Sequence, residues 1–166
     1  MTGVQTCALP IYVAMPDSPD NAVTIEKISG VQIQQAYIGA CTGAKLEDLQ
    51  MAARVLKNNT VAKGIRLLIA PASIQTTAAA AADGTLKILT ESGAILMPSG
   101  CGACAGYGAG ILAEGEVCIS STARNFKGRM GHPTSKVYLG SPYTVAASAI
   151  VGHITDPRKF LNGDRK

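Results

Sequence analysis

VQIQQAYIGACTGAKLEDLQMAARVL, Val31 to Leu56, is the stretch on which the reading of the fold turns. Its first ten residues are rich in β-branched and aromatic side chains and predict a strand over 31–40 that delivers its end to Cys41. Beyond the cysteine, Leu46, Leu49, Ala53 and Leu56 recur at helical spacing, with Glu47 and Asp48 where a helix dipole favours negative charge. The unit is strand, cysteine, helix.

The same order returns downstream. IRLLIA, Ile65 to Ala70, is a short continuous apolar run of the kind found in buried parallel strands, and Pro71 and Ser73 then open an alanine-rich helix. Ala78 to Ala82 favour helix and need no functional reading, and Gly84 interrupts before Leu86 to Glu91 continue. AILMP, Ala94 to Pro98, is a third strand leading into the loop SGCGACAGYGAG; EVCISS, Glu116 to Ser121, is a fourth and KVYLG, Lys136 to Gly140, a fifth. Pro142 opens a closing apolar helix over Tyr143 to Val151. Ahead of all this, VAMPDSPDN, Val13 to Asn21, reads as an extended lead-in with turns, and Val23 to Gly30 as a short strand or turn. The alternation predicts an α/β fold with a mainly parallel sheet and helices on its faces. Ligands bind such sheets outside the carboxyl ends of the strands, which is where Cys41, Cys101, Cys104 and Arg124 fall.

Composition narrows the function classes. At 166 residues the chain has the size of one domain with one core. Its net charge of +4 is scattered, with no basic run and no interleaved aromatic platform, which argues against nucleic acid as a partner. No apolar run approaches the roughly 18 to 20 residues that cross a bilayer, so no membrane partner is expected. Five cysteines is an odd number, and the N-terminus lacks a signal-peptide pattern, so a reduced, cytoplasmic setting is expected. The opening MTGVQTCALPIY has no periodicity and no charged side chain. Residues 1–12 are therefore set apart as a foreign leader, Cys7 with them, and 13–166 as a single domain.

Cys101 and Cys104 form C-x-x-C, and the topology brings Cys41 to the same rim. An iron-sulfur site is the leading reading; zinc with Cys118 or His132 as fourth ligand, and buried or redox-active thiols, are the alternatives. Cys118 lies inside a strand pattern, where a small buried residue is the simpler expectation. The glycines bracketing Cys101 and Cys104 permit close backbone approach to a bulky ligand. Arg124 and Arg129, in STARNFKGRMG, suit bidentate binding of carboxylates, although such a pair taken alone is more often a surface ion-pair partner. His132 reads as a loop residue and His153 as a helix C-cap, and neither has a partner at the spacing of a hydrolase triad.

AYIGACTGAKLEDL, PSGCGAC, GEVCISSTARNFKGRMG and SPYTVAASAIVGHITDPRKFL occur here in the order in which they mark the cluster-bearing third domain of the aconitase family. The chain resembles that domain from about Val13 onward. The resemblance implies a three-layer α/β/α fold and a hydro-lyase that removes and re-adds water on a hydroxy di- or tricarboxylate. It implies a 4Fe-4S cluster held by Cys41, Cys101 and Cys104, with Arg124 and Arg129 clasping substrate carboxylates. It also implies a longer large subunit and a separate small, swivel-domain subunit that supply the acid-base groups, so no catalytic residue is expected within these residues and no turnover from them alone. Two positions depart from the family's pattern, which has Asn where this chain has Gly43 and Ala123. Some relatives act as iron-sensing, RNA-binding proteins; the scattered charge argues against that alternative here.

Overall fold

The computed structural model describes residues 10–161, so Cys7 and most of the leader lie outside the described residues. Among the described residues seven strands form one sheet: β1 (Tyr12–Ala14), β2 (Ala22–Thr24), β3 (Gln35–Gly39), β4 (Arg66–Ala70), β5 (Ile95–Leu96), β6 (Val117–Ser120) and β7 (Lys136–Leu139). Their order is β2-β1-β7-β6-β3-β4-β5. β7, β6, β3, β4 and β5 run parallel, while β1 and β2 form an antiparallel hairpin on the β7 side. The α/β fold and the mainly parallel sheet follow the sequence reading. Tyr12, the last residue of the stretch set apart as a leader, pairs with Thr24, and Ile11 packs against the core.

The helices are α1 (Ala40–Gly43), α2 (Leu46–Leu56), α3 (Ile74–Ala82), α4 (Thr85–Glu91), α5 (Pro142–Val151) and α6 (Arg158–Leu161). Their ends obey local chemistry. The Asp48 carboxylate accepts the Lys45 N–H at 3.0 Å ahead of α2, and the hydroxyls of Ser73 and Ser141 accept the Thr76 and Thr144 N–H groups at the starts of α3 and α5. Gly84, at φ 83°, separates α3 from α4. Gly152, at φ 80°, closes α5, so the C-cap is Gly152 and not His153.

The three layers are unequal. Side chains alternate along the buried strands, so Ala36, Ile38, Leu67, Ile69 and Ile119 meet Leu49, Leu56, Leu89 and Val145 from α2, α4 and α5 on one face. The opposite face presents Tyr37, Leu68, Ala70, Cys118 and Val137. Among the described residues that face is covered by loops, which contribute Ala103, Leu112 and Met130, and by a single 3-10 turn, Gly102–Ala105. At one end of the sheet, β5 is an edge strand whose Ile95 and Leu96 are both exposed. No helix among the described residues is long and apolar enough to cross a membrane.

A partly buried polar chain ties the loop layer to the sheet. Gln35, fully buried at the start of β3, donates to the Gly110 carbonyl at 2.8 Å and accepts from Arg66 Nε at 3.1 Å. Arg66 Nη2 in turn donates to Glu116 Oε2 at 2.8 Å, and the same oxygen accepts the Ala113 N–H at 2.9 Å. The hydrogen bond from Arg66 holds the Glu116 carboxyl below the ordinary carboxylate range. A carboxyl lowered on folding adds stability above its unfolded pKa of about 4.3, and the increment is lost as the pH falls through the folded value. Glu116→Gln is therefore expected to unfold at a lower urea midpoint than the parent protein at neutral pH, with the gap closing once the pH drops below about 4.

Candidate metal centre

Because β3, β5 and β6 are parallel, their carboxyl ends open on one rim of the sheet. From β3 the chain passes Gly39, turns through Ala40 at φ 66° and enters α1, whose second residue is Cys41. A left-handed conformation at a residue with a side chain costs about 1–2 kcal/mol, so this turn is held against a local preference. Its two flanking glycines are in contact with neighbours. A Cβ at Gly39 would lie 2.2 Å from the Tyr37 ring, and one at Gly43 would lie 2.0 Å from the Ser121 carbonyl oxygen. Between them sits the Ser121 hydroxyl, which accepts the Gly39 N–H at 3.3 Å and donates to the Gly43 carbonyl at 2.7 Å.

The other two thiols sit on the loop after β5. Cys101 and Cys104 are joined by a Cys104 N–H to Cys101 carbonyl bond of 3.0 Å, and Gly102 and Gly106, at φ 46° and 80°, supply the left-handed conformations that fold the loop so tightly. Tyr37 donates its hydroxyl to the Cys101 carbonyl at 3.4 Å. Burial, with Cys104 nearby, pushes the Tyr37 phenol up to about 12, so it keeps its proton for that bond at neutral pH. Arg129 Nε donates to the Cys104 carbonyl at 2.8 Å. Burial pushes the Cys104 thiol up, while the Arg129 guanidinium and the Thr122 hydroxyl pull it the other way.

After β6 comes the arginine loop. Asn125 is buried and donates to the carbonyls of Met15 and Val137, at 2.7 and 3.1 Å, fixing the segment between the two arginines against the strands below. Arg124 is exposed and Arg129 partly buried. Leu112 links this loop to the cysteine loop through its bonds with Met130 and His132.

All five residues expected from the sequence, Cys41, Cys101, Cys104, Arg124 and Arg129, line one cavity of about 170 Å³. Short side chains, Ala40 and Ala123, fill in the wall. The thiols are free, with Cys41 and Cys101 exposed. The two residues weighed as a fourth zinc ligand stand elsewhere. Cys118 is fully buried in the loop-covered core, its thiol directed to the Ile119 carbonyl and pushed up to about 12 by burial. His132 bonds Thr134 through Nδ1. No three His, Cys, Asp or Glu side chains among the described residues converge as the ligands of one metal ion. Three thiols on one rim are a soft donor set of the kind that iron-sulfur clusters take, and the two guanidinium groups beside them would offset a cluster's negative charge.

The sequence reading passed over Tyr37 and Ser121, both counted only as strand residues. The pair Tyr37 and Gly39, on the same face of β3, was the one available signal, since a large ring beside a glycine marks a close approach.

A mainly parallel sheet with a cavity at its carboxyl rim defines an α/β domain of the kind whose ligands bind at that rim. The chain belongs to the aconitase family, whose model, described as aconitase family (aconitate hydratase), matches residues 9–152. It is 47% identical over 149 residues to the 3-isopropylmalate dehydratase large subunit 2 of Archaeoglobus fulgidus, a match covering 90% of this chain and 36% of that protein. It is 45% identical over 159 residues to the 3-isopropylmalate dehydratase large subunit of Mycolicibacterium smegmatis, covering 95% of this chain and 38% of that protein. It is also 45% identical over 157 residues to the homoaconitase large subunit of Thermus thermophilus, again covering 95% and 38%. The chain thus spans little more than a third of the length of the curated relatives it matches.

The geometry separates the two departures from the family's pattern. Gly43 has no room for a side chain, whereas Ala123 is exposed on the cavity wall. Gly43→Asn is expected to destabilise the protein by at least about 2 kcal/mol, and Ala123→Asn by no more than about 0.5 kcal/mol, as measured by urea unfolding.

Proposed function

We propose that this chain is the cluster-binding part of the large subunit of a hydro-lyase, with 3-isopropylmalate, a precursor in leucine biosynthesis, as its substrate. The reading rests on one observation: the cavity that collects Cys41, Cys101 and Cys104 is the cavity that Arg124 and Arg129 face. In this reading 13–166 form one iron-sulfur α/β/α domain of a longer cytoplasmic large subunit, and the cysteines hold a 4Fe-4S cluster. Held by those three thiolates, a cluster would supply Lewis-acid chemistry toward a substrate hydroxyl and carboxylate.

The chain's own residues bind and orient. Arg124, exposed at the mouth, offers a full guanidinium fork to one carboxylate. Arg129 spends its Nε on the Cys104 carbonyl, which leaves its terminal amines for a second carboxylate and fixes their distance from the thiol loop. Among the described residues no His, Asp or Glu lines the cavity, and in this reading proton transfer to and from substrate carbon falls to groups outside them. The words "large subunit" in the relatives' names support a small subunit as the partner that brings them. Homoaconitate is the second reading of the substrate, favoured by the comparable identity to the Thermus thermophilus protein. A 2,3-dimethylmalate hydratase-type lyase is a further variant of the same chemistry.

Anaerobic treatment with iron and sulfide is expected to give the broad blue-region absorbance of a 4Fe-4S cluster, lost in Cys101→Ser. Stoichiometric zinc, with no iron retained under those conditions, would reject the assignment. The reconstituted chain alone is expected to show no hydration of isopropylmaleate, and measurable turnover would show that it contains its own general base.

A further inference from the structure

The structure assigns Ser121 as the residue that positions Cys41. The inference rests on the reading of Cys41 as a cluster ligand, and goes beyond it by naming what aims that ligand. Cys41 is the one thiol of the three with no hydrogen bond to its own carbonyl from a neighbouring side chain among the bonds described above, as Cys101 has from Tyr37 and Cys104 from Arg129. Its placement depends on the turn around it. That turn has Ala40 in the left-handed region immediately before the cysteine, a conformation that persists only where the surroundings over-determine it.

Ser121 supplies the determination from both sides. Its hydroxyl takes the N–H of Gly39, two residues before Cys41, and gives its proton to the carbonyl of Gly43, two residues after. Its own N–H is held by the Tyr37 carbonyl at 3.0 Å, extending the β3 to β6 ladder by one bond, so the hydroxyl is mounted on the sheet and not on a loose loop. Gly43, without a side chain, presses directly on the Ser121 backbone, and this closeness brings its carbonyl to 2.7 Å from the hydroxyl. One oxygen therefore staples both ends of a five-residue arc with the thiol at its centre. Groups that orient a metal ligand typically change metal affinity about 10- to 100-fold when removed.

The test uses the full chain, reconstituted anaerobically with iron and sulfide, then challenged with a chelator in the presence of iodoacetamide, with the labelled cysteines mapped by mass spectrometry. Ser121→Ala is expected to lose its absorbance at least about tenfold faster than the parent, with Cys41 labelled before Cys101 and Cys104. Ser121→Thr, which keeps the hydroxyl, is expected to restore protection. Ser148→Ala removes a buried hydroxyl that bonds the Thr144 carbonyl and the Thr155 N–H in and beside α5, and is expected to lower the melting temperature without exposing Cys41 first. Cys41 labelled no sooner than the other two in Ser121→Ala would overturn the role of Ser121 while leaving the cluster reading intact. A parent protein that takes up no iron would instead overturn the cluster reading and this inference with it. Should Ser121→Ala not fold, amide exchange in the parent decides: protection of the Gly39 N–H supports the staple, and exchange at the rate of a free amide overturns it.

Discussion

Parallel pairing of β3 with β6 and β4, and of β4 with β5, is the constraint from which the rest of the site follows. It sends three chain segments out of the sheet in the same direction, each ending on a different part of the chemistry: Cys41 after β3, Cys101 and Cys104 after β5, Arg124 and Arg129 after β6. Reversing any one strand would carry its segment to the far end of the sheet. The apolar runs that bury β3, β4 and β6 on both faces, with β5 paired at their margin, are thus what makes the cavity, before any residue in the cavity is considered.

Polar bonds then convert proximity into fixed geometry. At the rim, Tyr37 and Arg129 each bond the carbonyl of a cysteine, and Asn125 anchors the arginine loop to backbone below it. At the opposite end of the strands, Gln35, Arg66 and Glu116 hold the return of the cysteine loop at Gly110 and Ala113. The loop layer is therefore clamped at both ends, which it needs because among the described residues its regular structure amounts to one 3-10 turn, Gly102–Ala105, and an isolated bridge between Leu112 and Gly131.

Much of this was legible from residue patterns. Continuous apolar runs gave the parallel strands, Ser73 and Ser141 marked helix starts, and Gly84 marked the break between α3 and α4. The convergence of the five site residues followed from strand direction and the order of the motifs. Other features were not legible, because they depend on contacts between segments far apart in sequence. That Gly43 answers to Ser121, 78 residues on, has no local signature. Nor does the one-sidedness of the helices: α2 is amphipathic and α5 is buried on nearly all sides, and neither pattern by itself says that both cover the same face of the sheet. Val31 to Gln34 carry strand-like side chains yet lie outside β3, since Gln32 meets His153 in an isolated bridge and not a sheet neighbour.

The strand at the end of the sheet has a practical side. β5 offers one row of backbone donors and acceptors with no neighbour in the sheet, under two uncovered aliphatic side chains and with no charge from Ala94 to Met97 to repel a visitor. Natural sheets guard such margins with lysine, proline or a bulge. Here Pro98 just beyond β5 and the strand's two-residue length leave only a short border at Ile95 and Leu96, and a lysine at either position would close what remains of it to another chain.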